Sequence, residues 1–146
     1  MVLMSALPLI ATPANPHYER FGGSAAVARL VQAFYRAMDT RPDALTIRAM
    51  HAADLTHTQA VLVKYFSEWL GGPRHYSTER GPPRLRRVHQ PFDIDSAGRD
   101  AWLACMQQAL DETCADAELR ASLMAALGKI AQHVQNTATP STHRSP

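Results

Sequence analysis

Residues 71–92 read GGPRHYSTERGPPRLRRVHQPF and form the most informative segment of the chain. The segment begins with the helix-breaking Gly71-Gly72-Pro73, continues as an irregular loop and ends in a short basic helix that carries His89. Because Pro91 disfavours helical geometry at Gln90, we expect His89 to lie in the final turn of that helix. A connection of about twenty residues inside a compact helical domain is usually functional or disordered. Four side chains that could anchor it in a core favour a functional segment: Tyr76, Leu85, Val88 and Phe92.

The sequence on either side of this segment is helical in pattern. Before it, apolar residues recur at spacings of three and four over residues 27–38, with Ser24 as the predicted N-cap, and over residues 55–69. Residues 43–54 are predicted to form short turns of helix. After the segment, Ser96 is predicted to cap a third helix and Asp116 to open a fourth. Since no sustained alternation of apolar and polar residues indicates a strand, we predict an all-α fold with four substantial helices.

The position of His89 suggests a particular chemistry. A histidine at the end of a short helix, between two longer apolar helices, is one way in which a chain presents an axial ligand to haem iron. Backbone carbonyls in the last turn of a helix lack helical partners, so one of them could accept the second ring N–H of His89. Such a bond would fix the tautomer and make the ligating nitrogen more basic. The alternative is a histidine that is merely satisfied at the surface or in the core.

Composition and charge argue against several classes of protein. A hydrophobic fraction of 46% and a charged fraction of 19% are globular values. The net charge of +2 is too small to indicate nucleic-acid binding, and no run of eighteen apolar residues predicts a membrane span. Cys105 and Cys114 are predicted to lie on one helix about 13–14 Å apart, beyond disulfide reach. Two unbridged thiols favour a reducing cytoplasm.

The chain is predicted to form one folded domain over residues 17–136. Residues 1–16 contain three prolines and are predicted to be a flexible N-terminal arm. Residues 137–146 are rich in serine, threonine and proline and are predicted to be a flexible C-terminal tail. The opening residues are mildly apolar, but they lack a basic leading region and are interrupted by Pro8, so we expect no signal peptide.

Six short motifs occur in order along the predicted domain. They are Phe34-Tyr35, Met50-His51-Ala52-Ala53-Asp54-Leu55, Trp69-Leu70-Gly71-Gly72-Pro73, Pro83-Arg84-Leu85-Arg86, His89-Gln90-Pro91-Phe92 and Arg99-Asp100-Ala101-Trp102-Leu103. Together they resemble the group II truncated haemoglobins of bacteria, over residues 18–135. The resemblance implies a truncated globin fold, a two-over-two helical sandwich around haem b. Two positions depart from the family pattern: Pro82 replaces a histidine, and Val88 stands where arginine is frequent.

The resemblance also implies roles on the proximal side of the haem. His89 matches the residue that binds the iron. Tyr76 lies on the same side with Arg80, Arg84, Arg86 and Arg87, and these side chains could make charge-assisted hydrogen bonds to the haem propionates. For some of the arginines, a solvated surface is the alternative. The predicted cofactor contacts are Tyr65, Phe66, Tyr76, Arg80, Leu85, Arg86, Val88 and Phe92.

On the distal side, the resemblance places Tyr35, His51 and Trp102 around a bound diatomic ligand. Oxygen on ferrous iron carries partial negative charge, so hydrogen-bond donors stabilise it. The predicted ligand-binding residues are Tyr35, His51, Thr58, Leu62 and Trp102. For Tyr65, Phe66 and Trp69, an aromatic stripe that only packs in the core is an alternative to a haem wall.

Three functions follow from these predictions. The leading one is a haem protein that reversibly binds oxygen, carbon monoxide or nitric oxide. The second is a haem oxidoreductase that detoxifies nitric oxide or peroxide and takes electrons from a separate reductase. The third is a helical interaction module without a cofactor, which predicts that Tyr35, His51, Trp102 and His89 do not meet at one cavity. In each case we expect a monomer or homodimer with neither a nucleic-acid nor a membrane partner.

Overall fold

The computed structural model of the protein describes residues 17–136, and all regular structure in this range is helical. The helices are α1 (Tyr18–Phe21), α2 (Gly23–Thr40), α3 (Leu45–Ala49), α4 (Thr56–Trp69), α5 (His75–Arg80), α6 (Leu85–His89), α7 (Ser96–Thr113) and α8 (Ala117–Val134). A 3-10 turn, Pro42–Ala44, precedes α3. The all-α prediction and the short helical turns before α4 are confirmed. The predicted arm and tail lie outside the described residues.

Two pairs of helices, α2 with α4 and α7 with α8, pack across each other. Helix α2 contacts both α4 and α7, and α7 in turn packs on α8, which gives the two-over-two arrangement. The core that these helices share with the shorter elements is apolar and almost fully buried. Burial of each large apolar side chain in this core, such as leucine, methionine or phenylalanine, contributes about 1.5–3 kcal/mol to the free energy of folding. The largest fully buried side chains of residues 17–136 are Phe34, Met38, Leu70, Met106, Leu110, Leu119, Leu123 and Leu127.

The predicted starts of two helices are wrong, that of α2 by two residues and that of α7 by one. Helix α2 begins at Gly23 and not after Ser24, because Gly22 has a φ of 123° and turns the chain directly out of α1. Helix α7 is capped by Asp95 and not by Ser96, since the Asp95 carboxylate accepts a hydrogen bond of 2.8 Å from the Gly98 amide. Asp116 caps α8 as predicted, accepting from the Leu119 amide at 3.0 Å.

Helix α5 lies within the segment that was predicted to be an irregular loop. Its six residues are too few to show helical periodicity in the sequence, and contacts to α4 hold it in place. Glu68 accepts a hydrogen bond of 2.9 Å from the Ser77 amide, and Lys64 pairs with Glu79 at 2.7 Å. The 71–92 segment is therefore an ordered wall built against α4.

None of the helices within residues 17–136 is both long and apolar enough to cross a bilayer. Cys105 lies inside α7 and Cys114 directly after it, and both are buried as free thiols.

Gly72 lets the end of α4 pack tightly against α1. A Cβ at this position would lie 2.5–2.7 Å from three ring carbons of Tyr18. We predict that Gly72→Ala lowers the free energy of unfolding by about 1–3 kcal/mol, because the ring is held by the contact of α1 with Leu70.

Gly128 provides the matched control. It lies inside α8, where an added Cβ meets nothing within 4 Å. We expect Gly128→Ala to raise the free energy of unfolding by about 0.5–1 kcal/mol. Urea denaturation of both variants measures the two changes, and a stabilising Gly72→Ala substitution would contradict the packing described for α1.

Candidate functional site

A cavity of about 480 Å³ lies between the two helix pairs and is lined by residues from every helix from α2 to α8. Its walls are mostly apolar, with a few polar side chains, which is the composition of a cofactor site. All of the site residues predicted from the sequence line it except Arg86. Trp69, for which packing was the alternative, does not line the cavity and packs on Phe66 with ring centroids 5.9 Å apart.

Helix α6 forms the proximal wall and presents His89. The Nδ1 atom of His89 lies 2.7 Å from the carbonyl oxygen of Leu85. A carbonyl oxygen only accepts, so Nδ1 carries the proton that is donated in this bond. In the neutral ring, Nε2 therefore has a free lone pair, and it has no hydrogen-bond partner among residues 17–136. The sequence had predicted a bond of this kind from the ring to a backbone carbonyl of the helix.

Asn136 holds the segment that begins at His89 and follows α6 through several hydrogen bonds. Its side-chain nitrogen donates to the carbonyl oxygens of Phe92 at 2.8 Å and His89 at 3.3 Å. Its side-chain oxygen accepts from the Ile94 amide at 2.9 Å, and its own amide donates to the Ile94 carbonyl oxygen at 2.9 Å. The residues after α8 thus hold the turn that follows α6, which fixes the position of the His89 backbone.

Three aromatic side chains and a histidine form the distal wall. Phe34 packs between Tyr35 and Trp102, with ring centroids 5.0 Å and 5.5 Å away. The rings of Tyr35 and His51 pack in a T-shaped arrangement with their centroids 5.8 Å apart. The Nδ1–H of His51 donates to the Ile47 carbonyl oxygen at 2.8 Å, so its Nε2 is the acceptor in the neutral ring.

Burial shifts the pKa values of both titratable distal groups towards their neutral forms. It raises the pKa of Tyr35 to about 12, against a small opposing effect of the Arg48 charge. It lowers the pKa of His51 below its ordinary value; the hydrogen bond to the Ile47 carbonyl oxygen opposes this shift, and the charge of Arg48 adds to it. At neutral pH, Tyr35 is therefore a protonated donor and His51 a neutral ring.

Two hydrogen-bond donors of the distal wall have no partner within residues 17–136. The Tyr35 hydroxyl and the Trp102 Nε1–H have no hydrogen-bond partner in the described part of the chain. Every fully enclosed side-chain polar atom in that part does have a partner. Since Tyr35 is only 4% exposed and lines the cavity, the small accessible area of its hydroxyl faces the cavity.

The mouth of the cavity combines apolar and cationic groups. Val88 and Phe92 line the cavity although they are 50% and 37% exposed. Arg80 lies at the same mouth, with its guanidinium carbon 5.9 Å from the Tyr76 ring centroid and Nη2 3.5 Å from the Nε2 of His57. No carboxylate within residues 17–136 pairs with Arg80.

Several lining residues were not predicted from the sequence, among them Arg99 and the inner face of α8. Arg99 lies three residues before Trp102 on α7 and so shares its face, a spacing that could have identified it. The apolar stripe of α8 was recognised but was not assigned to the cavity, because a stripe alone does not show what it covers. Its lining members are Leu127, Ile130, Ala131 and Val134.

Convergence of the four predicted polar residues tests the proposal of an interaction module. Tyr35, His51, Trp102 and His89 line one cavity. The module without a cofactor predicted that they would not meet, so that prediction is wrong.

Comparison with known proteins identifies the family. The model of the bacterial-like globins matches residues 16–136. The group 2 truncated haemoglobin YjbI of Bacillus subtilis is 34% identical over 122 residues, which cover 84% of this chain and 89% of that protein.

Solved structures agree with this match. The group II 2-on-2 haemoglobin of Agrobacterium tumefaciens is 43% identical and superposes with a TM-score of 0.79, covering 82% of this chain and 93% of that one. A truncated oxygen-avid haemoglobin from Bacillus subtilis is 34% identical with a TM-score of 0.76, covering 84% and 100%. The chain belongs to the bacterial-like globins and, within them, to the group II truncated haemoglobins.

Proposed function

We propose that this globin holds haem b in the cavity, with His89 as the axial ligand of the iron, and that it reversibly binds oxygen, carbon monoxide and nitric oxide. Membership of the globin family implies haem. The description of a relative as oxygen-avid supports oxygen as a ligand. The two free thiols support a reducing cytoplasm as the site of action.

The residues of the cavity fit this cofactor. The walls are apolar, Val88 and Phe92 leave apolar surface exposed at the mouth, and a flat apolar group would cover it. Arg80 at the mouth has no carboxylate partner in the described chain, and its positive charge is complementary to the negative charge of a propionate. When bound, haem supplies an iron atom with a coordination position for a diatomic gas.

One observation carries the proposal. His89 lines the cavity with its Nδ1–H fixed on the Leu85 carbonyl oxygen, so the nitrogen left free in the neutral ring is Nε2. A hydrogen bond of this kind from the second ring nitrogen is what orients histidine ligands of metals and raises their basicity. The Asn136 hydrogen bonds hold the same segment from the other side.

Tyr35 and Trp102 are the distal donors in this proposal. A tyrosine hydroxyl and an indole N–H can both donate to a ligand that carries partial negative charge. His51 has its Nδ1–H committed to the Ile47 carbonyl oxygen, and its pKa is lowered by burial, so at neutral pH its Nε2 accepts and does not donate. We therefore assign ligand stabilisation to two donors and not to three.

The first prediction concerns the axial ligand. We expect His89→Ala to lose or strongly alter the Soret band and its shift with carbon monoxide, because no other residue is assigned to hold the iron on that side. Absorption spectra of oxidised, reduced and carbon monoxide-treated protein measure this. His133→Ala, an exposed α8 histidine that does not line the cavity, is the control and should keep the wild-type spectrum. An unchanged spectrum in His89→Ala would refute the assignment.

The second prediction concerns the distal donors. One donor to a charged acceptor contributes about 1.5–3 kcal/mol, so Tyr35→Phe and Trp102→Phe should each speed oxygen dissociation by roughly 10- to 150-fold. Stopped-flow displacement of oxygen by carbon monoxide gives the rates. Tyr18→Phe removes a hydroxyl outside the cavity lining and should leave the rate unchanged. Wild-type rates in both distal variants would rule out the polar pair.

The third prediction concerns pH. Burial raises the pKa of Tyr35 to about 12, so its hydroxyl keeps the proton that it donates up to well above pH 10. We expect the oxygen dissociation rate to stay level between about pH 7 and about pH 10 and to rise only above that range. A rise centred near pH 10, the ordinary pKa of tyrosine, would contradict the buried position of this donor.

A further inference from the structure

Positive charge is concentrated in one part of the chain. Residues 74–87 contain five arginines and one acidic residue, Glu79, a net charge of +4. The whole chain has 15 basic and 13 acidic residues, so the remainder has 10 and 12, a net charge of −2. The segment that contains α5 and α6 is thus basic, and the rest of the chain is weakly acidic.

Four arginines of this segment form no ion pair within the described chain. Arg80, Arg84, Arg86 and Arg87 are exposed, and none has a carboxylate within ion-pair distance in residues 17–136. Glu79 already pairs with Lys64. We call these four arginines the basic surface. Most other arginines of the described chain form ion pairs with carboxylates. Arg29 and Lys129 are exposed and form no ion pair within that part of the chain.

Haem propionates do not account for the basic surface. Arg80 lines the cavity, but Arg84, Arg86 and Arg87 do not. The cause is the geometry of α6. Its residues Leu85, Val88 and His89 face the cavity at helical spacing, so the intervening Arg86 and Arg87 project on the exposed side. Arg86 and Arg87 therefore lie on the side of α6 that faces away from the cavity, whereas the proposed iron ligand faces into it.

We propose that the basic surface docks an acidic one-electron carrier protein, of the flavin or iron–sulfur class, that reduces the haem. This inference rests on the proposed function. In the transfer, ferric iron gains one electron and becomes ferrous, and the carrier's cofactor loses one electron. Opposite charges steer such partners together and raise the association rate. Docking behind His89 places the carrier against the short helix that holds the iron.

The distribution of charge favours a compact acidic protein over an extended polyanion. A nucleic acid duplex or an anionic membrane reaches beyond a small basic surface, and the rest of this molecule has a net charge of −2.

The test compares two charge-reversal variants with equal change in net charge. Arg84→Glu/Arg87→Glu alters the basic surface, and Arg29→Glu/Lys129→Glu alters unpaired cations outside it. The probe is an acidic plant-type [2Fe–2S] ferredoxin. Calorimetry measures its binding to the ferric protein at about 0.01 M and about 0.15 M salt, where the screening lengths are roughly 30 Å and 8 Å. Stopped-flow mixing with reduced ferredoxin under carbon monoxide measures reduction.

We expect the wild type to bind ferredoxin more weakly at the higher salt concentration. Arg84→Glu/Arg87→Glu should bind at least about tenfold more weakly and be reduced at least about tenfold more slowly, and the control pair should stay within about twofold of wild type. Circular dichroism checks that both variants are folded.

Three results would overturn the docking proposal: no binding by the wild type at low salt, equal losses in both variants, or an arginine-dependent affinity for anionic vesicles or duplex DNA that exceeds that for ferredoxin. The haem proposal fails separately, since it is refuted by a wild-type protein that shows no carbon monoxide spectrum. Loss of charge dependence with an intact spectrum would refute docking alone.

Discussion

The hydrogen bond from the Nδ1–H of His89 to the Leu85 carbonyl oxygen is the interaction on which the proposed site depends. It joins the first and last residues of α6, so the fold of five residues fixes both the tautomer and the direction of one ring. Any rotation of the ring that freed Nδ1 would break this bond and leave a half-buried carbonyl without its side-chain donor. Asn136 adds a second constraint, because it holds the carbonyl oxygens of His89 and Phe92 and ties the end of α8 to the turn after α6.

The opposite wall has the complementary property that its polar atoms are left free. A buried tyrosine hydroxyl or indole N–H usually has a hydrogen-bond partner inside the protein. Tyr35 and Trp102 have none in the described chain and line the cavity instead. His51 differs from both, because the Ile47 carbonyl oxygen takes its Nδ1–H and burial lowers its pKa. In the proposed site, Tyr35 and Trp102 are hydrogen-bond donors and His51 is a neutral acceptor. The Nε2 atom of His89 is the nitrogen that binds the iron.

Much of this arrangement could be predicted from the sequence, and the exceptions have physical causes. His89, Tyr35 and Trp102 stand in recognisable motifs, and the periodicity of α2, α4, α7 and α8 is strong. The cap of α7 was misplaced because Asp95 and Ser96 are both good caps and only the geometry of Gly98 decides between them. Helix α5 was missed because contacts to Glu68 and Lys64 hold it, and these are tertiary. Arg86 was predicted to contact the cofactor, but it does not line the cavity. Which side of α6 faces the cavity depends on how that helix is oriented in the fold, and the sequence does not reveal this orientation.

The most direct test is the resonance Raman spectrum of the ferrous, gas-free protein reconstituted with haem of two iron isotopes. If Nε2 of His89 holds the iron, an iron–histidine stretching band should appear, shift with iron mass, and change when the histidine nitrogens are labelled with a heavy isotope. A ferrous protein that binds haem but shows no band sensitive to both labels would contradict the assignment of His89 and, with it, the proposed roles of Leu85 and Asn136.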